Sequence, residues 1–229
     1  MTAPRLAIIV PMLDEAAGIV GALKALRPLA AEIIAVDGGS RDASLALAQM
    51  HADQAISAPR GRASQMNAGA AVADGEILLF LHADTRLPAG ADRQILAAID
   101  KGALWGRFDV RIEGSSWLLP LIGWLMNRRS RLTGIATGDQ AIFVRREVFE
   151  AIGGFPEQPL MEDITLSARL KRRGRPACLP GPVITSGRRW EKHGVLRTIL
   201  LMWRLRLRYF FGASPETLAR DYGYVPEQH

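Results

Sequence analysis

The sequence predicts an α/β fold, a doubly wound and mostly parallel sheet with helices on both faces. Two observations lead there. In the first hundred residues, short apolar runs of strand length alternate with amphipathic stretches of helical length, the order that βαβ units produce. Apolar runs also close on acidic residues beside turn formers, at Asp37 and again at Asp84. Open α/β sheets place their ligands at such carboxyl ends of strands.

The elements follow in order. Leu6–Pro11 is the first strand, an unbroken apolar run of the kind buried on both faces. Glu15–Leu29 is helical, with Ile19, Leu23 and Leu26 at i, i+4, i+7. Glu32–Asp37 is the second strand; Gly38 and Gly39 then allow a tight turn, and Ser40 or Asp42 caps a helix over Asp42–His51. A weaker strand near Gln54–Ser57 precedes a helix at Ala63–Ala73, and Glu76–His82 is a strand that stops in His82-Ala83-Asp84. In its plainest reading that stop is a turn, with Pro88 opening the next helix. In the second half, 103–114 ("ALWGRFDVRIEG") and 140–146 ("QAIFVRR") read as strands, and Glu147–Ile152 and Met161–Arg173 as helices. A loop rich in Pro and Gly runs through Gly187, and Val195–Phe211 is a long helix. The reading is of one domain over residues 1–229.

Apolar content of 48% and charged content of 23% are those of an ordinary globular chain. Cys178 is the single cysteine, so no internal disulfide forms and a reducing, cytoplasmic compartment is expected. The opening "MTAPRLAIIVPMLDE" has a short apolar run broken by Pro11, unlike a signal peptide. The net charge of +6 is an arginine surplus concentrated in the second half, which favours an anionic partner. No zinc-ligand spacing, RNA-binding signature or helix-turn-helix pattern accompanies it, so nucleic acid is not expected.

Two apolar stretches bear on membranes. Trp117–Met126 is far shorter than the roughly 20 residues that span a bilayer. Val195–Phe211 carries Arg197, Arg204, Arg206 and Arg208, which a spanning helix would not tolerate. Arg197, Arg204 and Arg208 share one face. That leaves two readings open: a helix lying on an anionic membrane surface, and a helix packed on the core with a solvated arginine stripe.

The motifs narrow the chemistry. "IIVPMLDEA" closes the first strand, "VDGGSRDAS" the second, and a basic loop at Arg60–Arg62 precedes a helix containing Asn67-Ala68-Gly69. "HAD" closes the next strand, and "TGDQAIFVRREVFEAIGGF" and "MEDITLSARLKRRG" follow. In this order and spacing the set resembles glycosyltransferase family 2 on the GT-A fold, over roughly residues 6–175. The resemblance implies an inverting, metal-assisted transfer of a sugar from a UDP- or GDP-type donor to a hydroxyl acceptor. It makes residues 1–104 the nucleotide-sugar half, 105–190 the acceptor half and 191–229 a C-terminal helical segment.

Residue by residue, the resemblance puts Pro11 and Glu15 in the first nucleotide-binding loop. Asp37, in the turn with Gly39, and Arg62 become the contacts to the base. Asp84 matches the last carboxylate of the family's D-x-D motif, the ligand of Mn²⁺ or Mg²⁺. His82 stands where that motif has its first aspartate; imidazole suits Mn²⁺ better than Mg²⁺, and the ring could instead point into the sheet or bind ribose. Asp163 matches the general base, beside Glu162, where a plain reading sees an acidic first turn of a helix. A carboxylate at a helix start is expected to have a depressed pKa. Arg189-Trp190 resembles the arginine-tryptophan motif of processive synthases, with Ser186 in place of the expected glutamine. Arg188, Arg189 and Lys192 are then diphosphate contacts, and His193 is either a further metal ligand or a surface histidine. Trp105, Trp117 and Trp124 are candidates to bind a sugar face or a lipid-linked acceptor, at the inner face of a membrane. Two competing readings are a nucleotidyltransferase, whose basic first loop "VPMLDEAAG" lacks, and a non-catalytic relative that binds nucleotide or membrane.

Overall fold

The computed structural model describes residues 5–223. Its strands are β1 (Leu6–Met12), β2 (Ala31–Asp37), β3 (Gln54–Ser57), β4 (Ile77–Phe80), β5 (Thr85–Arg86), β6 (Trp105–Glu113), β7 (Ile142–Arg145) and β8 (Ala177–Ser186). The helices are α1 (Ile19–Leu26), α2 (Ser44–Gln49), α3 (Arg62–Val72), α4 (Ala91–Asp100), α5 (Leu119–Thr133), α6 (Arg146–Ala151), α7 (Glu162–Lys171), α8 (Arg188–His193), α9 (Val195–Phe210) and α10 (Pro215–Asp221). One sheet holds all these strands in the order β3-β2-β1-β4-β7-β6-β8-β5. β1 runs parallel to β2 and β4, β2 to β3, and β6 to β8; β7 is antiparallel to β4 and β6, and β5 to β8. The expected α/β, mostly parallel architecture therefore holds.

Alternating residues of each strand feed opposite faces. Ile8, Ile33 and Leu79 pack with Ile19, Leu23 and Ile95 on one side, and Ile9, Ile34 and Leu78 with Met66, Phe149 and Leu166 on the other. Helices thus cover both faces, each burying an apolar stripe worth roughly 25 cal/mol per Å² removed from water. Gly69 sets the approach of α3: a Cβ there would meet Ile9 Cγ2 at 2.5 Å.

Several expectations change. The loop expected before Gly187 is largely strand β8, because its prolines fall where they do no harm. Pairing with β6 skips from Phe108–Leu179 to Val110–Val183, so Pro180 and Pro182 sit in the irregularity, where no ladder donor is required. The helix expected from Glu15 starts only at Ile19, because the preceding segment is tied elsewhere: Glu15 N donates to Ser44 Oγ (2.7 Å) and Ala16 N to Asp42 Oδ2 (3.0 Å). The apolar stretch 117–126 lies largely in α5, and the C-terminal helical segment divides into α8, α9 and α10.

Candidate functional site

The carboxyl ends of β1 and β4, the start of α3, the turn at residues 137–139, the start of α7, and α8 and α9 surround an open cavity of about 560 Å³. Of the residues expected to act, Pro11, Glu15, Arg62, Asp84, Glu162, Asp163 and Trp190 line it. The C-terminal segment supplies wall as well, through Thr198, Met202 and Arg206. Asp37 and Gly39 do not line it, and the side chains of Arg189 and His193 lie outside the described residues.

The first wall is two interlocked loops. Asp37 is 3% exposed. Its carboxylate accepts from the backbone N–H groups of Gly39 and Ser40 (3.0 Å each) and from the Ser40 hydroxyl. Gly39 closes this turn at φ +89°, a region that favours glycine. Across the gap, Asp14 N donates to Ser40 Oγ (2.9 Å) and Asp14 Oδ1 accepts from Arg41 N (2.8 Å). Gln65, which sequence reasoning passed over, holds the strand ends together: buried on α3, it donates to Met12 O (2.9 Å) and Val36 O (2.8 Å). Its signal in the sequence is a polar side chain on the helix face that carries Met66 and Gly69 toward the sheet. Glu15 is pushed above its ordinary pKa by burial, opposed by Arg188 and assisted by Asp84 and Asp42.

Past Phe80, β4 leaves the sheet and delivers His82 and Asp84 to the cavity. Asp84 is solvent-accessible, with Arg188 NH2 3.9 Å from its Oδ2. The His82 ring turns inward beneath Gly138, where a Cβ would meet Nε2 at 2.5 Å. Its Nδ1 lies 3.5 Å from Asp139 Oδ1, and Nε2 is buried without a hydrogen-bond partner. Among the described residues no group of three or more His, Cys, Asp or Glu is placed to hold a metal. Asp84 is a single solvent-facing carboxylate, the kind of donor that can hold Mg²⁺ together with substrate phosphates.

The acid pair opens α7. Glu162 is 5% exposed, and its pKa is pushed up to about 7 by burial and then by Asp163, with Arg62 opposing. Asp163 accepts from Gly138 N (2.9 Å) at one oxygen and from Ile164 N (2.7 Å) at the other. The depressed pKa expected at this helix start is not found. Burial raises the Asp163 carboxyl and outweighs both N–H donors. Arg62 is solvent-accessible at its α3 end. The cost of crowding it with protein is outweighed by Glu162 and then by Tyr222, Asp139 and Asp163, so its pKa is raised.

Backbone strain marks the same place. The non-glycine residues with positive φ among those described are Asp14 (52°), Ala141 (48°) and Met161 (67°). Asp14 precedes Glu15, Ala141 follows the 137–139 turn, and Met161 precedes Glu162. Each costs roughly 1–2 kcal/mol relative to a right-handed residue, and such strain concentrates at functional sites. Asn67 connects the halves: it exchanges two 2.9 Å hydrogen bonds with the backbone of Phe155, tying α3 to the Gly153-Gly154 turn before the acid pair. The motifs at Asn67 and Phe155 thus form one joint. Burial divides the tryptophans expected to bind a sugar face or a lipid-linked acceptor. Trp105 is fully buried, its Nε1 donating to Gly174 O (2.8 Å), and Trp117 and Trp124 are exposed away from the cavity.

Comparison with known proteins settles the family. The Glycosyl transferase family 2 profile matches residues 7–153. The chain belongs to glycosyltransferase family 2. Solved structures carry the same fold at low identity. A mannosyltransferase from Pyrobaculum calidifontis, in complex with GDP-Man and Mn²⁺, matches at TM-score 0.63 and 21% identity, over 97% of this chain and 70% of that one. Residues 1–349 of TarS from S. aureus, in complex with UDP-GlcNAc, match at 0.64 and 16%, over 80% of this chain and 58% of that one. Glucosyl-3-phosphoglycerate synthase from Mycobacterium tuberculosis, in complex with Mn²⁺, UDP and glucosyl-3-phosphoglycerate, matches at 0.58 and 16%, covering 77% and 70%. This family 2 chain thus spans less than two thirds of the TarS fragment it matches. No curated protein sequence matches it significantly.

Proposed function

We propose that this family 2 member moves a sugar from a nucleoside-diphosphate donor of UDP or GDP type to a hydroxyl acceptor, with inversion at the anomeric carbon. One observation carries the reading: a single cavity holds an accessible strand-end carboxylate, Asp84, and a buried acid pair, Glu162 and Asp163, with Arg62 of the first half facing Glu162, Asp139 and Asp163 of the second. The nucleoside is assigned to Pro11, Glu15 and Arg62 and to the turn that Asp37 and Gly39 shape. Asp84 is assigned the Mn²⁺ or Mg²⁺, with Arg188 beside it. When bound, that cation neutralises charge on the diphosphate leaving group.

Asp163 is assigned the proton of the acceptor hydroxyl. As the acceptor oxygen bonds to the anomeric carbon, the bond to the diphosphate breaks and the proton passes to the Asp163 carboxylate. Its raised pKa suits that transfer better than the depressed one expected from the helix start, since proton affinity rises with pKa. Arg189 and Trp190 are assigned to the diphosphate and acceptor end, and His193 to the metal beside Asp84. The apolar lining there, Ile112, Leu160, Ile164 and Met202, supports a lipid-linked acceptor met at the cytoplasmic face of a membrane. The family match favours sugar transfer over nucleotidyl transfer, and the acid pair favours catalysis over simple binding.

Calorimetric titration with UDP, GDP and their sugar conjugates, with and without Mn²⁺, tests the reading on wild type and Asp84→Ala. Metal-dependent binding of one nucleotide, lost in the variant, is the expected result. Absence of binding to all of them, with or without Mn²⁺, would remove the donor assignment.

A further inference from the structure

Two helices turn apolar sides outward. On α9, Leu196, Leu200, Trp203, Leu207 and Phe210 form one stripe at about 100° per residue. All five are exposed, Trp203 at 74% and Phe210 at 82%. The opposite side of α9 packs inward through buried Thr198 and Leu205. Arg197, Arg204 and Arg208 follow one border of the stripe, roughly 90° from its centre on an ideal helix. Asp221 pairs with both Arg204 (3.8 Å) and Arg208, so three arginines against one carboxylate leave this border net positive, while Arg206 on the other border also lines the cavity. α5 repeats the arrangement. Leu121, Trp124 and Leu125 are exposed opposite its buried Leu119 and Ile122, Trp117 is exposed in the turn just ahead of it, and the Arg128 guanidinium lies 5.4 Å from the centre of the Trp124 ring. The helices are neighbours, joined through one cluster in which Val195 and Ile199 pack against Leu119 and Ile122. α9 thus packs one apolar side on the protein, through Leu201, Met202 and Leu205 against Leu160 and Met161, and leaves a second apolar stripe outward.

The geometry points to the surface of an anionic lipid bilayer as the partner of this α5–α9 face. Leucine and aromatic side chains bordered on both sides by arginine are the composition of helices that lie in the headgroup region. Tryptophan is enriched at that depth because one edge of its ring is apolar and the other polar. Among the described residues no helix is long and apolar enough to cross a membrane, so the contact is one of lying on the surface. Charge complementarity selects the occupant. A second copy of this chain would bring its own arginine borders against these, whereas acidic headgroups would neutralise them. The proposal names a partner of the proposed transferase, and Arg197, Leu200 and Trp203, on which its test rests, do not line the cavity.

Sedimentation of the full chain with phosphatidylcholine vesicles, with and without phosphatidylglycerol, tests it. The chain should pellet with the phosphatidylglycerol vesicles, with a blue shift of tryptophan emission, and release as salt is raised. Leu200→Glu/Trp203→Glu should abolish pelleting, and Arg197→Gln should weaken it about fivefold. Nucleotide titration of the same variants should be unchanged, so failure here and failure of the donor reading are told apart. Wild type remaining in the supernatant with phosphatidylglycerol vesicles would overturn the proposal. So would undiminished pelleting of the double variant, or a dimer in light scattering that the double variant dissolves. If the double variant fails to fold, quenching of the wild-type tryptophans by brominated phosphatidylglycerol decides: quenching upholds the docking face and its absence refutes it.

Discussion

Replacing Glu162 by glutamine should make this protein more stable, and increasingly so as pH rises. Burial and the neighbouring Asp163 raise the Glu162 pKa from the ordinary 4.5 to about 7. A carboxyl whose pKa is raised by folding holds more protons in the native state than in the unfolded chain between those values. Its contribution is therefore neutral below about pH 4 and destabilising as pH rises through 7. Moving a pKa from 4.5 to about 7 corresponds to about 3 kcal/mol once both states are ionised. Only about a quarter to a third of that penalty is present at pH 5, and nearly all of it at pH 8. Glu162→Gln keeps the shape and removes the charge, so its stability relative to wild type should grow by about 2–3 kcal/mol from pH 5 to pH 8. For a chain of this size that is about 5–10 °C in Tm. Urea unfolding of both proteins across that range measures it. An advantage that stays flat or shrinks with rising pH would refute the account, and would mean that Arg62 stabilises ionised Glu162 more than burial destabilises it.

Other outcomes follow from the same geometry. Asp163→Asn should lower the transfer rate by about 10²–10⁴ while nucleotide affinity changes little, because it removes the proton acceptor and keeps the shape; steady-state kinetics beside nucleotide titration would show the split. Gly138→Ala should cost about 1–3 kcal/mol in chemical denaturation, since the new methyl would stand 2.5 Å from His82 Nε2 and the buried ring must move. Asn67→Ala deletes both hydrogen bonds to the Phe155 backbone and leaves buried polar groups unpaired. It should cost about 1–3 kcal/mol and loosen the joint between the halves, visible as faster amide exchange at residues 153–163.

Much of the fold was legible because its signals are local. β1, β2 and β4 are apolar runs buried on both faces, and such runs are recognisable without knowing their partners. The GGF turn and the acidic start of α7 are equally local, since they depend on turn chemistry and on the first turn of a helix. β8 was not legible: Pro180 and Pro182 argue against a strand until the register of β6 shows that they fall where no donor is needed. α5 and α9 were ambiguous for a related reason. Periodicity shows that a helix has an apolar side but not whether that side meets protein.

The amino-acid sequence by itself determined the α/β class, the family and the residue types that gather at the cavity, because each rests on short-range pattern and ordered motifs. Only the tertiary structure decided how they act together. It placed Asp37 inside its own turn and His82 beneath Gly138, and it brought Gln65 onto two strand ends. It also reversed the expected direction of the Asp163 pKa. A helix start lowers a carboxyl through its nearby N–H groups, an effect read from neighbours in the chain. Desolvation raises it through everything packed around it, and that packing exists only once the chain has folded.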